Sequence, residues 1–200
     1  MADLVTIVET VAITQFLTPG AKSLGEVALE QAQRMSRAAV QLLTNVGRTP
    51  QPVEPKVLVP LVQAAALETD EDLAAKWAAL LANAADPTQQ APVQPAFAEV
   101  LRQLTLDDAH VLSYIYEMCE DGDEPIDEAD GMSKIIDVFA HFEWPSQRVE
   151  LSLDNLLRLR LFETRTGDMY GAVPALTSNA PIAPTIFGRK FLLACTPPTA

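Results

Sequence analysis

The chain has 200 residues, 48% of them hydrophobic, which suits one ordinary domain or two small ones with an ample core. Its longest apolar stretch is residues 57–67, whereas a membrane-spanning helix needs roughly 18 to 20 apolar residues, so the composition argues against a transmembrane protein. The 14 basic and 27 acidic residues give a net charge of -13, which argues against a protein that wraps nucleic acid with its whole surface.

The first 46 residues are rich in helix-forming residues and are predicted to be helical, with one break at Thr18-Pro19-Gly20. The second half of this segment has an apolar face with no obvious partner elsewhere in the chain. We therefore expect residues 1–46 to form an arm that binds a protein partner or a second copy of the chain. Association of residues 1–17 with a membrane surface is a third and weaker hypothesis, because this stretch carries few cations for anionic lipid.

Three prolines within residues 47–55 predict an extended linker and a domain boundary. Residues 56–104 then form a predicted helical unit. It starts with a helix over residues 56–66 and a capping box at Thr69-Asp70-Glu71-Asp72. Two further helices follow, and their apolar stripes are most simply core, or alternatively a partner interface; they comprise Leu73, Trp77, Leu80, Leu81 and Ala84, and then Phe97, Val100, Leu101 and Leu104.

Residues 105–196 are predicted to form a winged helix-turn-helix-like α+β module. A capping box at Thr105-Leu-Asp-Asp108 opens the first helix, and two more helices follow at residues 133–142 and 147–160. Short strands are predicted at 161–164, 169–176 and 183–186, before a closing helix at 187–195. The predicted fold class is thus mainly α, with an N-terminal helical region followed by this module.

The helix at residues 147–160 takes the place of a recognition helix, with a wing at residues 165–170. Its acidic residues Glu150 and Asp154 would repel a phosphate backbone, so protein contact or simple packing is the favoured interpretation and DNA binding the alternative. DNA binding keeps its place because the chain from Pro145 onward has a net charge of +2, from six basic and four acidic residues. The candidate contacts for DNA or a protein partner are Arg148, Asn155, Arg158, Arg160 and Arg165.

Much of the negative charge lies in residues 117–130, which hold eight acids and no base. A calcium loop needs glycine at its sharp turn, where this segment has Ile126, so a metal site is disfavoured. A solvated loop or a patch for a basic partner is the favoured interpretation. The candidate acidic patch comprises Glu120, Asp121, Asp123, Glu124, Asp127, Glu128 and Asp130.

No motif supports an enzyme, because the chain lacks a glycine-rich phosphate loop, an HExxH helix and a GxSxG elbow. His110 and Cys119 point to opposite sides of their predicted helix and cannot share a metal ion. Cys119 and Cys195 cannot form a disulfide framework, and both are expected to be core or boundary residues. We predict no catalytic residue, cofactor or metal. The N-terminus lacks a basic signal-peptide region, so we expect a cytoplasmic protein.

Four segments together resemble the bacterial abortive infection alpha family: residues 55–87, 94–109, 153–163 and 185–191. The strongest stretch, residues 77–86, has the sequence WAALLANAAD. One departure is Arg160, where a glycine is expected in the turn before the strand.

The resemblance implies a role in defence against phage, in which an infected cell stops growing or dies before phage is released. It brings no catalytic residues. We therefore expect a non-enzymatic interaction protein that acts through contacts with itself or with a phage or host protein. A winged-helix transcriptional regulator is the alternative.

Overall fold

The computed structural model describes residues 22–89, 93–120, 134–164 and 180–199, with backbone alone for residues 22–27 and 120. These ranges form eight helices and two short strands. In chain order they are α1 (Lys22–Asn45), α2 (Pro55–Ala65), α3 (Glu71–Ala85), α4 (Pro95–Arg102), α5 (Leu106–Glu120), α6 (Ile135–His141), α7 (Ser146–Arg158), β1 (Phe162–Thr164), β2 (Ile182–Pro184) and α8 (Ile186–Ala194).

The strands pair antiparallel, with Phe162 opposite Pro184 and Thr164 opposite Ile182, and Lys134 forms a single bridge to Pro181. The fold is therefore mainly helical with a small antiparallel sheet near its C-terminal end, as the sequence predicted. The helix predicted before the break at residues 18–20 and the strand predicted at residues 169–176 lie outside the described residues.

The chain divides into two compact units. Unit 1 comprises residues 1–103 and 192–200, and unit 2 comprises residues 104–191. In their described parts, unit 1 holds α1 to α4 and the chain from Leu192 onward, while unit 2 holds α5 to α7, both strands and the first part of α8.

The apolar face of α1 is covered inside unit 1, where α1 packs against α3. The expectation that this face has no partner within the chain is wrong. The reason lies in residues 47–55, which are not a free linker: the amide of Gln51 donates to the carbonyl of Ala85 at 2.8 Å, and Val53 is buried. The buried side chains that α1 contributes are Ala32, Met35, Ser36, Ala39 and Leu43.

The two predicted capping boxes have different outcomes. At α5 the box is reciprocal, because the amide of Thr105 donates to Asp108 Oδ2 at 2.8 Å and the amide of Asp108 donates to Thr105 Oγ1 at 3.2 Å. At α3 the cap is Asp70 rather than Thr69, and its Oδ1 accepts from the amides of Asp72 and Leu73, each at 3.0 Å. A carboxylate accepts hydrogen bonds from these amides, which have no partner within the helix. Its negative charge also interacts favourably with the positive end of the helix dipole.

Helices α1 and α7 end in the same backbone motif, which requires a left-handed residue after the helix. After α1 that residue is Gly47, with φ 71°, and the amide of Arg48 closes the motif on the carbonyl of Leu43 at 2.9 Å. After α7 it is Arg160, with φ 57°, and the amide of Leu161 closes the motif on Leu156 at 3.0 Å. The departure at Arg160 thus leaves the strand entry intact, and β1 begins at Phe162.

In unit 2, α8 passes so close to the end of α7 that only glycine fits at Gly188. A Cβ there would collide with the carbonyl oxygen of Leu161 and the hydroxyl of Tyr116. The Tyr116 hydroxyl donates to that same carbonyl at 3.0 Å, and both residues are buried. The position of α8 in unit 2 therefore depends on the missing side chain of Gly188.

We expect Arg160→Gly to raise the free energy of unfolding by about 1 kcal/mol, because glycine adopts a positive φ without the clash that an L side chain suffers. Gly47→Arg, at the matched position after α1, should lower it by a similar amount. Urea unfolding of both variants measures the two changes. Stabilisation by both or by neither would contradict the assignment of strain to Arg160.

We expect Gly188→Ala to destabilise the protein by about 3 kcal/mol or more, because the obstacle is a buried backbone oxygen that cannot rotate away. Gly47→Ala is the control, since nothing lies within 4 Å of its added Cβ and only the positive φ opposes the change. Thermal and urea unfolding should show the larger loss at Gly188. Equal losses at the two positions would mean that α8 moves aside.

Candidate functional site

Helix α7, the predicted contact helix, is amphipathic. Its inner face contributes Val149, Ser152, Leu153 and Leu156 to the core of unit 2. The candidate contact residues Arg148 and Asn155 are seven residues apart, so they share one flank of the helix, next to the start of α5. Their contacts decide whether they are available to a ligand.

Arg148 is held by a side chain within the protein. Its Nε and Nη2 donate to the two carboxylate oxygens of Asp107, each at 2.6 Å, and its guanidinium lies 4.2 Å from the ring centre of Trp144. These hydrogen bonds hold the pKa of Asp107 below its usual range, although its partial burial acts in the opposite direction. The favoured partner of Arg148 in this structure is therefore an internal carboxylate.

Asn155 and Arg158 also take part in internal contacts. Asn155 Nδ2 donates to Oδ2 of the buried Asp108 at 2.9 Å, and Asn155 Oδ1 accepts from Arg158 Nη2 at 2.6 Å. Because Asp108 also caps α5, Asn155 links the two helices rather than projecting into solvent. Arg158 remains exposed on the outer side of α7.

The remaining candidate residues are not brought together with these. The exposed Arg160 follows α7, and its carbonyl accepts from the hydroxyl of Thr185 at 2.6 Å. Arg165 and the acidic patch lie outside the described residues, since no side chain is described for Glu120 and neither backbone nor side chain is described for Asp121, Asp123, Glu124, Asp127, Glu128 and Asp130.

The outer face of α7 carries a feature that the sequence analysis missed. Leu151 is 72% exposed, and it lies between the exposed acids Glu150 and Asp154. With Gln147 and Arg158, these residues form one stripe at helical spacing. The signal was present in the sequence, because Leu151 falls off the period of the buried stripe and nearly opposite Val149 and Leu153. We call Gln147, Glu150, Leu151, Asp154 and Arg158 the α7 face.

Beside Arg148 lies an aromatic cluster that contains both histidines of the chain. The ring of His141 stacks on that of Tyr114, with ring centroids 3.6 Å apart. The ring centroids of Phe142 and Trp144 are 4.4 Å apart. The ring centroid of His110 lies 6.4 Å from that of Trp144, so His110 belongs to the edge of the cluster. The cluster fixes the segment that leads into α7, since Trp144 immediately precedes its first turn.

A second polar network, in unit 1, was also missed. Asp86 has a fully buried side chain; its Oδ2 accepts from Arg48 Nη1 at 2.7 Å, and its Oδ1 accepts from the amide and hydroxyl of Thr88. Asn83 Nδ2 donates to the carbonyls of Ala194 and Thr196 at 2.9 and 2.8 Å. No local sequence signal predicts the contacts of Asp86 with Arg48 or of Asn83 with Ala194 and Thr196, because these partners are 38 to 113 residues apart.

In the described ranges, no group of three or more His, Cys, Asp or Glu side chains could hold a metal ion. Burial raises the pKa of the Cys195 thiol to about 12, so this core cysteine stays protonated. Among the same residues, no helix has the length and apolar content needed to cross a bilayer.

Comparison with known proteins adds one finding. The family model described as abortive infection alpha matches residues 26–195, which cover most of both units. No curated protein and no solved structure matches the chain.

The Asp86 network predicts a dependence of stability on pH. Burial acts to raise the pKa of Asp86, but hydrogen bonds from Thr88 and Arg48 outweigh it and leave the pKa below the ordinary 3.8. A lowered pKa contributes stability that is present above the unfolded value and is lost as the pH falls through the folded one. We expect Asp86→Asn to cost about 2 kcal/mol at neutral pH and much less near pH 3.

Urea unfolding at both pH values checks this expectation. Asp72→Asn, at an exposed acid in the first turn of α3, is the control and should lose only its weak interaction with the helix dipole, about 0.5 kcal/mol at neutral pH. A loss for Asp86→Asn that is the same at both pH values would show that the charge of Asp86 contributes nothing.

Proposed function

The chain belongs to the abortive infection alpha family, and from this membership we propose that it acts in bacterial defence against phage of the abortive type. We further propose that it does so without catalysis, by binding a protein partner through the α7 face. In this proposal, residues 104–191 work as a winged-helix-like module that presents protein contacts, and α7 takes the place of the recognition helix.

The observation that carries the proposal is Leu151, 72% exposed at the middle of α7. Burying a leucine side chain against a partner removes apolar surface from water and is worth about 1.5 to 3 kcal/mol. Its neighbours Glu150 and Asp154 are both acidic, so the α7 face has a net charge of -1 when Arg158 is included. A partner with an apolar pocket bordered by basic residues fits this surface.

DNA binding is the weaker alternative, for a reason that lies in the contacts of α7. A DNA reader needs basic and amide side chains that are free to reach bases and phosphates. Arg148 and Asn155 are instead bonded to Asp107 and Asp108, and breaking those bonds would take a partner away from each carboxylate, one of which is buried. Exposed Arg158 and Arg160 are the residues through which DNA binding would still act.

We expect Leu151→Gln to abolish protection, so that phage forms plaques on cells carrying the variant as efficiently as on cells without the protein. Glutamine keeps the helix propensity of leucine but removes its apolar contact. Leu193→Gln, at a helical leucine that is 71% exposed in unit 1, is the matched control and should retain protection. The free energy of unfolding of both variants should lie within about 0.5 kcal/mol of that of the native chain.

The plaque assay, combined with a measurement of duplex DNA binding, distinguishes a protein partner from DNA. If Arg158→Ala and Arg160→Ala together remove both protection and a salt-dependent binding to duplex, while Leu151→Gln keeps both, the proposal of a protein partner is wrong. Sedimentation of the purified chain, native and Leu151→Gln, tests whether the partner is a second copy. Loss of a dimer in the variant would identify self-association through the α7 face.

A further inference from the structure

The first half of α8 exposes an apolar residue among bases on the surface of unit 2. Ile186 is 78% exposed, and Arg189 and Lys190, which are also exposed, follow it three and four residues later. Residues at these spacings lie on the same side of a helix. Gly188 and the buried Phe191 lie on the opposite side of α8, which faces the interior of unit 2. We call Ile186, Arg189 and Lys190 the α8 patch.

The bases of the α8 patch are available to a partner. Neither Arg189 nor Lys190 forms an ion pair with a described residue. A third base lies close by, because the hydroxyl of Thr185, which precedes Ile186, donates to the backbone carbonyl of the exposed Arg160 at 2.6 Å. The α8 patch is therefore an exposed apolar side chain bordered by positive charge.

The α7 face is the chemical complement of this patch. Its central Leu151 is exposed, and Glu150 and Asp154 border it with negative charge. Two α7 faces would bring like charges together, whereas the α7 face and the α8 patch bring acids to bases and leucine to isoleucine. Because both surfaces are exposed, they do not cover each other within one copy of the chain. Their contact must form between two copies.

Helix geometry allows the apolar and the charged contacts to form together. Each residue advances a helix by about 1.5 Å, so Asp154 lies about 4.5 Å beyond Leu151 along α7. By the same rule, Arg189 and Lys190 lie about 4.5 and 6 Å beyond Ile186 along α8. When the two helices lie parallel with Leu151 against Ile186, Asp154 falls beside the two bases. One register therefore satisfies both kinds of contact.

We propose that the α7 face of one copy binds the α8 patch of a second copy, with Leu151 packed against Ile186 and the carboxylates paired with the bases. The inference rests on the proposed function, because it identifies the partner of the α7 face as the chain itself. The two surfaces differ, so each copy carries both halves of the contact, and the assembly contains two or more copies.

Sedimentation of the purified full-length chain tests the contact. The native chain should associate between about 10 and 300 µM, as expected for a small interface. Leu151→Gln and Ile186→Gln should each raise the dissociation constant about tenfold or more, because each removes one of the two apolar side chains. Leu67→Gln, at a residue of unit 1 with the same 78% exposure as Ile186, is the control and should leave association unchanged.

A mixture of the two variants distinguishes this contact from a pairing of like faces. Leu151→Gln retains a native α8 patch, and Ile186→Gln retains a native α7 face. An equimolar mixture should therefore form a heterodimer under conditions in which each variant alone is monomeric. If like α7 faces paired, Ile186→Gln would associate as the native chain does. That result, a mixture without heterodimer, or a native chain that stays monomeric at about 300 µM would overturn the proposal.

Charge reversal tests the pairing of acids with bases. Glu150→Lys with Asp154→Lys should abolish association, and so should Arg189→Glu with Lys190→Glu, while an equimolar mixture of the two doubly substituted chains should restore it. Association that survives both reversals would contradict the proposed contact. A native chain that stays monomeric, but binds duplex DNA and loses that binding with Arg189→Ala and Lys190→Ala, would assign the α8 patch to nucleic acid instead.

The plaque assay and sedimentation separate this inference from the proposed function. If the native chain is monomeric while Leu151→Gln still abolishes protection, self-association is wrong and the α7 face has a different protein partner. If the chain associates as described while Leu151→Gln retains full protection, the proposed function is wrong and the contact between copies stands.

Discussion

The carbonyl oxygen of Leu161 is the point on which the architecture of unit 2 depends. It is buried at the turn between α7 and β1, where a carbonyl without a partner would be costly. The Tyr116 hydroxyl from α5 donates to it, and burial raises the pKa of Tyr116, so this donor stays protonated. Gly188 lets α8 approach the same atom. One acceptor thus fixes α5, the end of α7 and α8 together.

In unit 1, side chains supply the hydrogen-bond donors for backbone carbonyls at and beyond the end of α8. The last carbonyls of a helix have no partner within the helix. Asn83 donates to the carbonyl of Ala194, at the end of α8, and to that of Thr196 beyond it, while Arg48 donates to the carbonyl of Thr199 at 2.7 Å. Asp86 in turn holds Arg48. The stretch of strongest family resemblance, residues 77–86, therefore includes the residues that bind the chain end as well as core residues.

The sequence predicted what depends on neighbours in the chain and missed what depends on distant ones. Apolar periodicity located α3 and α7 within two residues, and the box of Thr105 with Asp108 formed as predicted, because both signals are local. The cover for α1 was missed because it requires the chain to turn back at residues 47–55. The roles of Arg148 and Asn155 were missed for the same reason, since their acidic partners lie 41 and 47 residues earlier in the chain.

These distant pairings change how the charges of the second unit are interpreted. A leucine that is exposed alone is ordinary, and Leu67, Ile186 and Leu193 are as exposed as Leu151. What distinguishes Leu151 is its setting. On α7, Arg148 forms its ion pair with Asp107. The charged side chains around Leu151 are therefore the acids Glu150 and Asp154 and, further away, Arg158. The proposed protein partner of this face would therefore gain its affinity from covering an apolar side chain and its orientation from the carboxylates.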